Sequence, residues 1–157
     1  MQKIFIIFIS LTVSIFFIPG CSKKNGCTDS TSNNYDKEAE EDDGSCIYTA
    51  GEGGNVTIVA LPKHHGMPIA SNSLYPDSAF IKFNATNSPG INPGDYDKII
   101  VGEANEQHVH IEGLKRGKYF IFMTGYDTVI SARVTGGIPY EITLTSGEIN
   151  LDVPVTE

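Results

Sequence analysis

Between Val56 and Val155 the chain alternates short apolar runs with clusters of turn-forming residues. Tyr140, Ile142 and Leu144 fall on one side against Glu141, Thr143 and Thr145, and Ile149, Leu151, Val153 and Val155 oppose Asn150, Asp152 and Thr156. Residues two apart share one face of a β-strand, so this pattern predicts strands with one apolar and one polar face. Similar runs at 56–60, 79–83, 108–111, 118–124 and 128–134 bring the expected number to about seven. Gly, Pro, Asn and Asp clusters separate them at 87–94, 113–117, 136–137 and 146–147. The run at 118–124 is apolar on both faces and is expected at the centre of a sheet, covered on each side. No segment here has a convincing helical period. The expected fold is all-β, an antiparallel two-sheet sandwich of about seven strands.

The N-terminal segment breaks this pattern. Ile4 to Ile18 is an apolar run of 15 residues with Lys3 as its only charged flank. A bilayer-spanning helix takes about 20 residues, so the run fits the apolar centre of a signal peptide. Ile18-Pro19-Gly20-Cys21 follows it and resembles the lipobox of bacterial lipoproteins. Pro19 departs from the small or branched residue usual at its position. The resemblance implies removal of residues 1–20 and lipidation of Cys21 by palmitate-type chains. It further implies an exported protein anchored in the bacterial envelope, at the outer membrane. Ser22-Lys23-Lys24 lacks the acidic residues that some surface-export signals carry, which tilts the expectation towards the periplasmic leaflet.

Charge divides the exported part unevenly. The chain carries a formal net charge of −8, and residues 27–46 hold seven acids against Lys37 alone. An acidic balance argues against nucleic acid as a partner. With Cys21 assigned to lipid by the lipobox resemblance, Cys27 and Cys46 remain as a pair that an oxidising envelope is expected to join. A loop of that length would contribute about 3 kcal/mol on the chain-entropy estimate. Cys27-Thr28-Asp29, Asn34-Tyr35-Asp36, Ala39 and Asp42-Asp43-Gly44-Ser45-Cys46 resemble the disulfide-closed acidic repeat related to thrombospondin type 3 calcium repeats. Ser30 and Lys37 stand where that repeat usually has proline. The resemblance implies calcium on Asp29, Asn34, Asp36, Asp42 and Asp43, and calcium does favour six to eight oxygen ligands. An acidic linker that is simply solvated is the alternative.

Gly113-Leu114-Lys115-Arg116-Gly117-Lys118-Tyr119 resembles the Gly-Leu-x-x-Gly-x-Tyr corner of carboxypeptidase-regulatory-like and collagen-adhesin B-type domains, which are transthyretin-like sandwiches. In such folds Leu plugs the core, Gly turns the chain and the aromatic restarts the next strand. The resulting organisation is a signal peptide (1–20), a lipidated tether (21–26), an acidic loop (27–46), a linker (47–54) and a transthyretin-like or Ig-like sandwich (55–157).

All four histidines fall in the sandwich, as His64-His65 in a loop and His108 with His110 on one strand face. If the pairs met, they would offer a zinc or copper site. Asp95-Tyr96-Asp97 reads as turn chemistry, and the tyrosines as core or as a glycan-stacking platform. No nucleophile elbow or phosphate-binding loop is present, so an enzyme is not expected. The expected role is a lipid-anchored binding or structural protein that presents its sandwich on a calcium-stiffened standoff, with a protein or glycan partner. The alternative is a periplasmic zinc- or copper-binding protein.

Overall fold

The acidic loop closes on itself before the sandwich begins. The computed structural model describes residues 22–69 and 74–157, so the signal peptide and Cys21 lie outside the described residues. Within the loop, β1 (Asn25–Gly26) and β2 (Glu41–Asp42) form a short parallel ladder. Cys27 and Cys46 form the disulfide, with Cα atoms 4.8 Å apart.

The rest is all-β. β3 (Glu52–His64), β4 (Met67–Pro68), β5 (Ser78–Phe83), β6 (Lys98–Val101), β7 (Val109–Leu114), β8 (Gly117–Asp127), β9 (Ala132–Ile142) and β10 (Ser146–Val155) make two four-stranded sheets. In one, β3 is flanked by β10 on one side and by β7 and the short β4 on the other. The second runs β6-β5-β8-β9 and is antiparallel throughout. Val56, Ile58, Ile81, Ile111, Ile121 and Val153 are fully buried between the sheets. Among the described residues no helix is long and apolar enough to cross a membrane.

Three features differ from the sequence-based expectation. β3 and β10 pair in parallel over ten residues, from Ser146↔Asn55 to Val155↔His64, so the sandwich is mixed rather than wholly antiparallel. β9 runs from Ala132 to Ile142 and so joins the end of the strand expected at 128–134 to the start of the one expected at 140–144, while residues 128–131 form a turn. Gly136-Gly137 is not a turn there but a point of close approach. A Cβ at Gly136 would collide with the Pro154 carbonyl oxygen, and one at Gly137 would lie 2.6 Å from the Ile121 carbonyl oxygen. Beside these glycines Thr135 and Thr156 exchange N–H···O bonds of 2.7 and 2.9 Å, which join the edges of the two sheets. Lastly, β6 was hidden by its four-residue length after a Gly/Pro-rich loop.

β8 is central, between β5 and β9, and buried on both faces. Tyr119, Ile121 and Met123 enter the main core. Phe120 and Phe122 point the other way and are covered by Tyr96, which the turn at Pro93–Asp95 delivers and which donates to the Gly90 carbonyl at 2.7 Å. Asp97 serves that loop too, accepting the Phe83 N–H at 2.7 Å and pairing with Lys82 at 3.0 Å.

The corner before β8 ties the linker to the sandwich. Leu114 and Tyr119 are fully buried. The Tyr119 hydroxyl lies 2.7 Å from the Lys115 carbonyl and 3.1 Å from the Gly51 carbonyl, and accepts the Gly51 N–H at 3.0 Å. Asn84 accepts the Ala50 N–H at 2.8 Å, and Ala50 is itself buried. The segment expected as a free linker is thus pinned at Ala50 and Gly51, and β3 starts at Glu52. From there β3 carries the chain about 40 Å, at roughly 3.3 Å per residue, from the pole nearest the acidic loop to an opposite tip.

Two substitutions test this account by chemical denaturation. Tyr119→Phe leaves the Gly51 N–H and the Lys115 carbonyl short of a partner and should cost about 1–3 kcal/mol. Gly136→Ala should cost a similar amount, about 1–3 kcal/mol, because strand backbone must move to admit the methyl group. If Gly136→Ala unfolds at the parent's midpoint, the close-approach role of this glycine is wrong.

Candidate functional site

At the tip, β3 turns into β4 through His65-Gly66, a two-residue hairpin loop closed by the His64↔Met67 pair. Both loop residues have positive φ, 49° at His65 and 80° at Gly66, the signature of a type I′ turn. Asn, Asp and Gly lead at such positions, and His is also enriched in left-handed backbone, so the turn admits His65. The left-handed backbone also breaks strand alternation, and the His65 ring sits 4.2 Å, centroid to centroid, from that of His64.

His64 has the same parity along β3 as Val56, Ile58 and Ala60, and so points to the buried side of the sheet. It is only 6% exposed and lies between two carboxylates. Its Nδ1 is 2.6 Å from Asp127 Oδ2 at the end of β8, and its Nε2 is 2.9 Å from Glu157 Oε2, just past β10. Asp127 is steadied in turn by the Val129 N–H at 2.8 Å. The hydrogen bonds to Asp127 and then Glu157 raise the His64 pKa. Reciprocally, the His64 contact holds the Asp127 carboxyl below its ordinary value. Among the described residues, His64, His65 and Glu157 are the group of three His, Cys, Asp or Glu donors within 4.8 Å of one another.

The other histidine pair lies elsewhere. His108 sits immediately before β7 and His110 within it, alternating with the buried Val109 and Ile111, so both face outward. Their Nε2 atoms are 3.0 Å apart, and they line a cleft of about 300 Å³ with Glu103 and Glu106. β7 pairs with β3, so His64 and the His108/His110 pair face opposite sides of one sheet and line separate clefts. The structure does not gather the four histidines into one site.

The acidic loop uses its oxygens locally. Asp29 Oδ1 accepts from the Thr31 backbone and hydroxyl at 2.9 and 2.7 Å, while Oδ2 takes the Tyr48 hydroxyl at 2.9 Å and the Arg116 guanidinium. Led by the Thr31 bonds, these contacts hold the Asp29 carboxyl far below the usual range. Asp36, Asp42 and Asp43 each accept a backbone N–H two residues on, and Asp36 also pairs with Lys24 at 2.9 Å. Asn34 bridges Ile47 and Ser45. Among the described residues, no three of these carboxylates come within 4.8 Å of one another.

Sequence reasoning missed Asp127, Glu157 and Asp77. Asp77 is fully buried before β5, packed against Gly125, and burial pushes its carboxyl up to about 7. Its position beside Pro76 at a strand start reads as ordinary turn chemistry. No protein-family model, curated protein or solved structure matches the chain. The likenesses to a lipobox, an acidic repeat and a transthyretin-like sandwich therefore rest on the motifs that carry them.

The raised Asp77 pKa has a pH consequence. The folded chain holds this proton more tightly than the unfolded chain, whose carboxyl titrates near about 3.9. The stability Asp77 contributes is complete below that value and is lost as pH rises through about 7. The raised His64 adds a slope of the same sign at higher pH. The melting temperature should therefore fall between pH 5 and pH 8, and Asp77→Asn should flatten part of that fall. An unchanged parent-minus-variant difference across the range would contradict it.

Proposed function

We propose that this is a lipid-anchored envelope protein with a binding or structural role, in which the acidic loop is a pedestal and the far tip of the sandwich is the presented end. The observation that carries the reading is the clamp between loop and sandwich. Arg116, from the β7–β8 corner, pairs with Asp29 of the disulfide-closed loop and stacks over the Tyr48 ring at 3.8 Å. Ala50 and Gly51 are bound to Asn84 and Tyr119 directly beyond it. A chain leaving such a pedestal reaches the opposite pole along β3, so an anchor at Cys21 would hold the tip outward.

In this reading the clamp does part of the stiffening first assigned to calcium. Asp29 is committed to Arg116 and Asn34 to Ile47 and Ser45, so calcium on the remaining Asp36, Asp42 and Asp43 would first have to draw those carboxylates together. The lipobox supports the anchor, and the acidic balance supports a protein or glycan partner over nucleic acid.

Fatty-acid labelling of the full chain in a bacterial host tests the anchor. The parent should carry label in the membrane fraction, and Cys21→Ser should lose it; an unlabelled parent sinks the proposal. Limited proteolysis tests the pedestal. Arg116→Ala should speed cleavage within 47–54 several-fold, with the sandwich fragment surviving, because local opening becomes easier. Equal rates would mean the clamp does not hold the loop.

A further inference from the structure

We propose that the tip of the sandwich binds one divalent transition-metal ion, zinc or copper(II), on His64 Nε2, an imidazole nitrogen of His65 and the carboxylate of Glu157. The donor atoms already lie within 4.8 Å of one another. Ligands around one tetrahedral zinc at about 2.0–2.2 Å stand about 3.3 Å apart, so the remaining approach is short. His65 and Glu157 are exposed and can make it by side-chain rotation, while buried His64 stays in place. Two imidazoles and one carboxylate suit zinc and copper(II) better than the harder calcium or magnesium.

Asp127 gives the arrangement its polarity. Its Oδ2 lies 2.6 Å from His64 Nδ1, while Nε2 lies 2.9 Å from Glu157 Oε2, so in the metal-free chain both ring nitrogens direct a proton at a carboxylate. The metal displaces the Nε2 proton to solvent, and Asp127 keeps the one on Nδ1. A carboxylate behind a ligating histidine orients the ring and makes it more basic. Asp127 is thus a positioning residue, and it is held by a backbone bond of its own. Asp127 and Glu157 also supply two negative charges to balance a dication. Lys63, the neighbouring cation on β3, is paired instead with Asp152 at 2.6 Å.

The turn holds the exposed His65 ring against His64. Three ligands at a partly open tip leave a coordination position for water or an incoming donor, the pattern of a functional rather than a purely structural zinc site. This site goes beyond the presentation role and stands whether or not the chain is lipid-anchored.

The test is calorimetric titration of zinc and copper(II) into the chelator-treated full chain in detergent, with electron paramagnetic resonance of the copper form. His64 is buried, so the decisive variants are exposed. The parent should bind one ion, with two nitrogens coupled to the copper. His65→Asn, which suits the turn, and Glu157→Gln should each weaken binding at least tenfold while leaving the fold intact by circular dichroism. Asp127→Asn should weaken it 10–100-fold and shift the copper hyperfine coupling, a change that a merely structural role would not produce. The pair His108→Ala/His110→Ala should bind like the parent. Binding weaker than millimolar, or loss in the His108/His110 variant with none in His65→Asn and Glu157→Gln, overturns the assignment.

Discussion

Ten residues of β10 run parallel to Asn55–His64, and the placement of both ends of the molecule follows from that pairing. Parallel neighbours begin at the same pole and finish at the same pole. β3 and β10 therefore both leave the acidic-loop end and arrive together at the tip, where Val155 stands opposite His64. Glu157 reaches the His64 ring because it lies two residues beyond that register. An antiparallel β10 would have put Glu157 at the other pole, and His64 would have had one carboxylate partner rather than two. The Thr135–Thr156 bridge holds the end of the chain there by tying it to the edge of the second sheet.

β8 supplies the second constraint. A strand buried on both faces cannot shift register without moving aromatic groups out of two apolar layers, so its ends are fixed points. One end carries Tyr119, whose hydroxyl gathers Gly51 and Lys115; the other carries Asp127, which orients His64. The pedestal clamp and the tip cluster are thus attached to opposite ends of the most buried strand. The Arg116–Asp29 pair is partly exposed, and exposed ion pairs contribute little alone. Its effect rests on the Tyr48 ring beneath the guanidinium and the closed disulfide behind it.

The two histidine pairs show how one residue of parity separates environments. On β7, His110 alternates with Val109 and Ile111 and so must face outward. His64 has core-side parity at the far end of β3, where the two sheets no longer cover it and charged partners take the place of apolar ones. A buried imidazolium is tolerated there because each ring N–H donates to a carboxylate. Asp77 is a different case, a buried carboxyl packed against Gly125 whose pKa burial raises to about 7.

Much of the fold was legible in the sequence because strand alternation and turn residues are local properties. The all-β class, the central position of the doubly apolar 118–124 segment, the burial of Leu114 at the corner, and the Cys27–Cys46 bond are all found in the structure. Gly136-Gly137 misled because glycine marks both a turn and a close approach, and only the neighbouring Pro154 and Ile121 backbones distinguish them. β6 was too short to show a period. The parallel β3–β10 pairing was illegible because residues as far apart as Asn55 and Ser146 carry no local mark of their partner. The site divided in the same way. His64-His65 could be noticed as a pair, but its joining to Asp127 and Glu157, and its separation from His108 and His110, depend on sheet order and facing. The sequence by itself determined which segments become strands and which faces they bury, since those follow from neighbouring residues. Only the tertiary structure decided which strands meet, and therefore which charges meet at the tip, because that choice is made by packing between segments far apart in the chain.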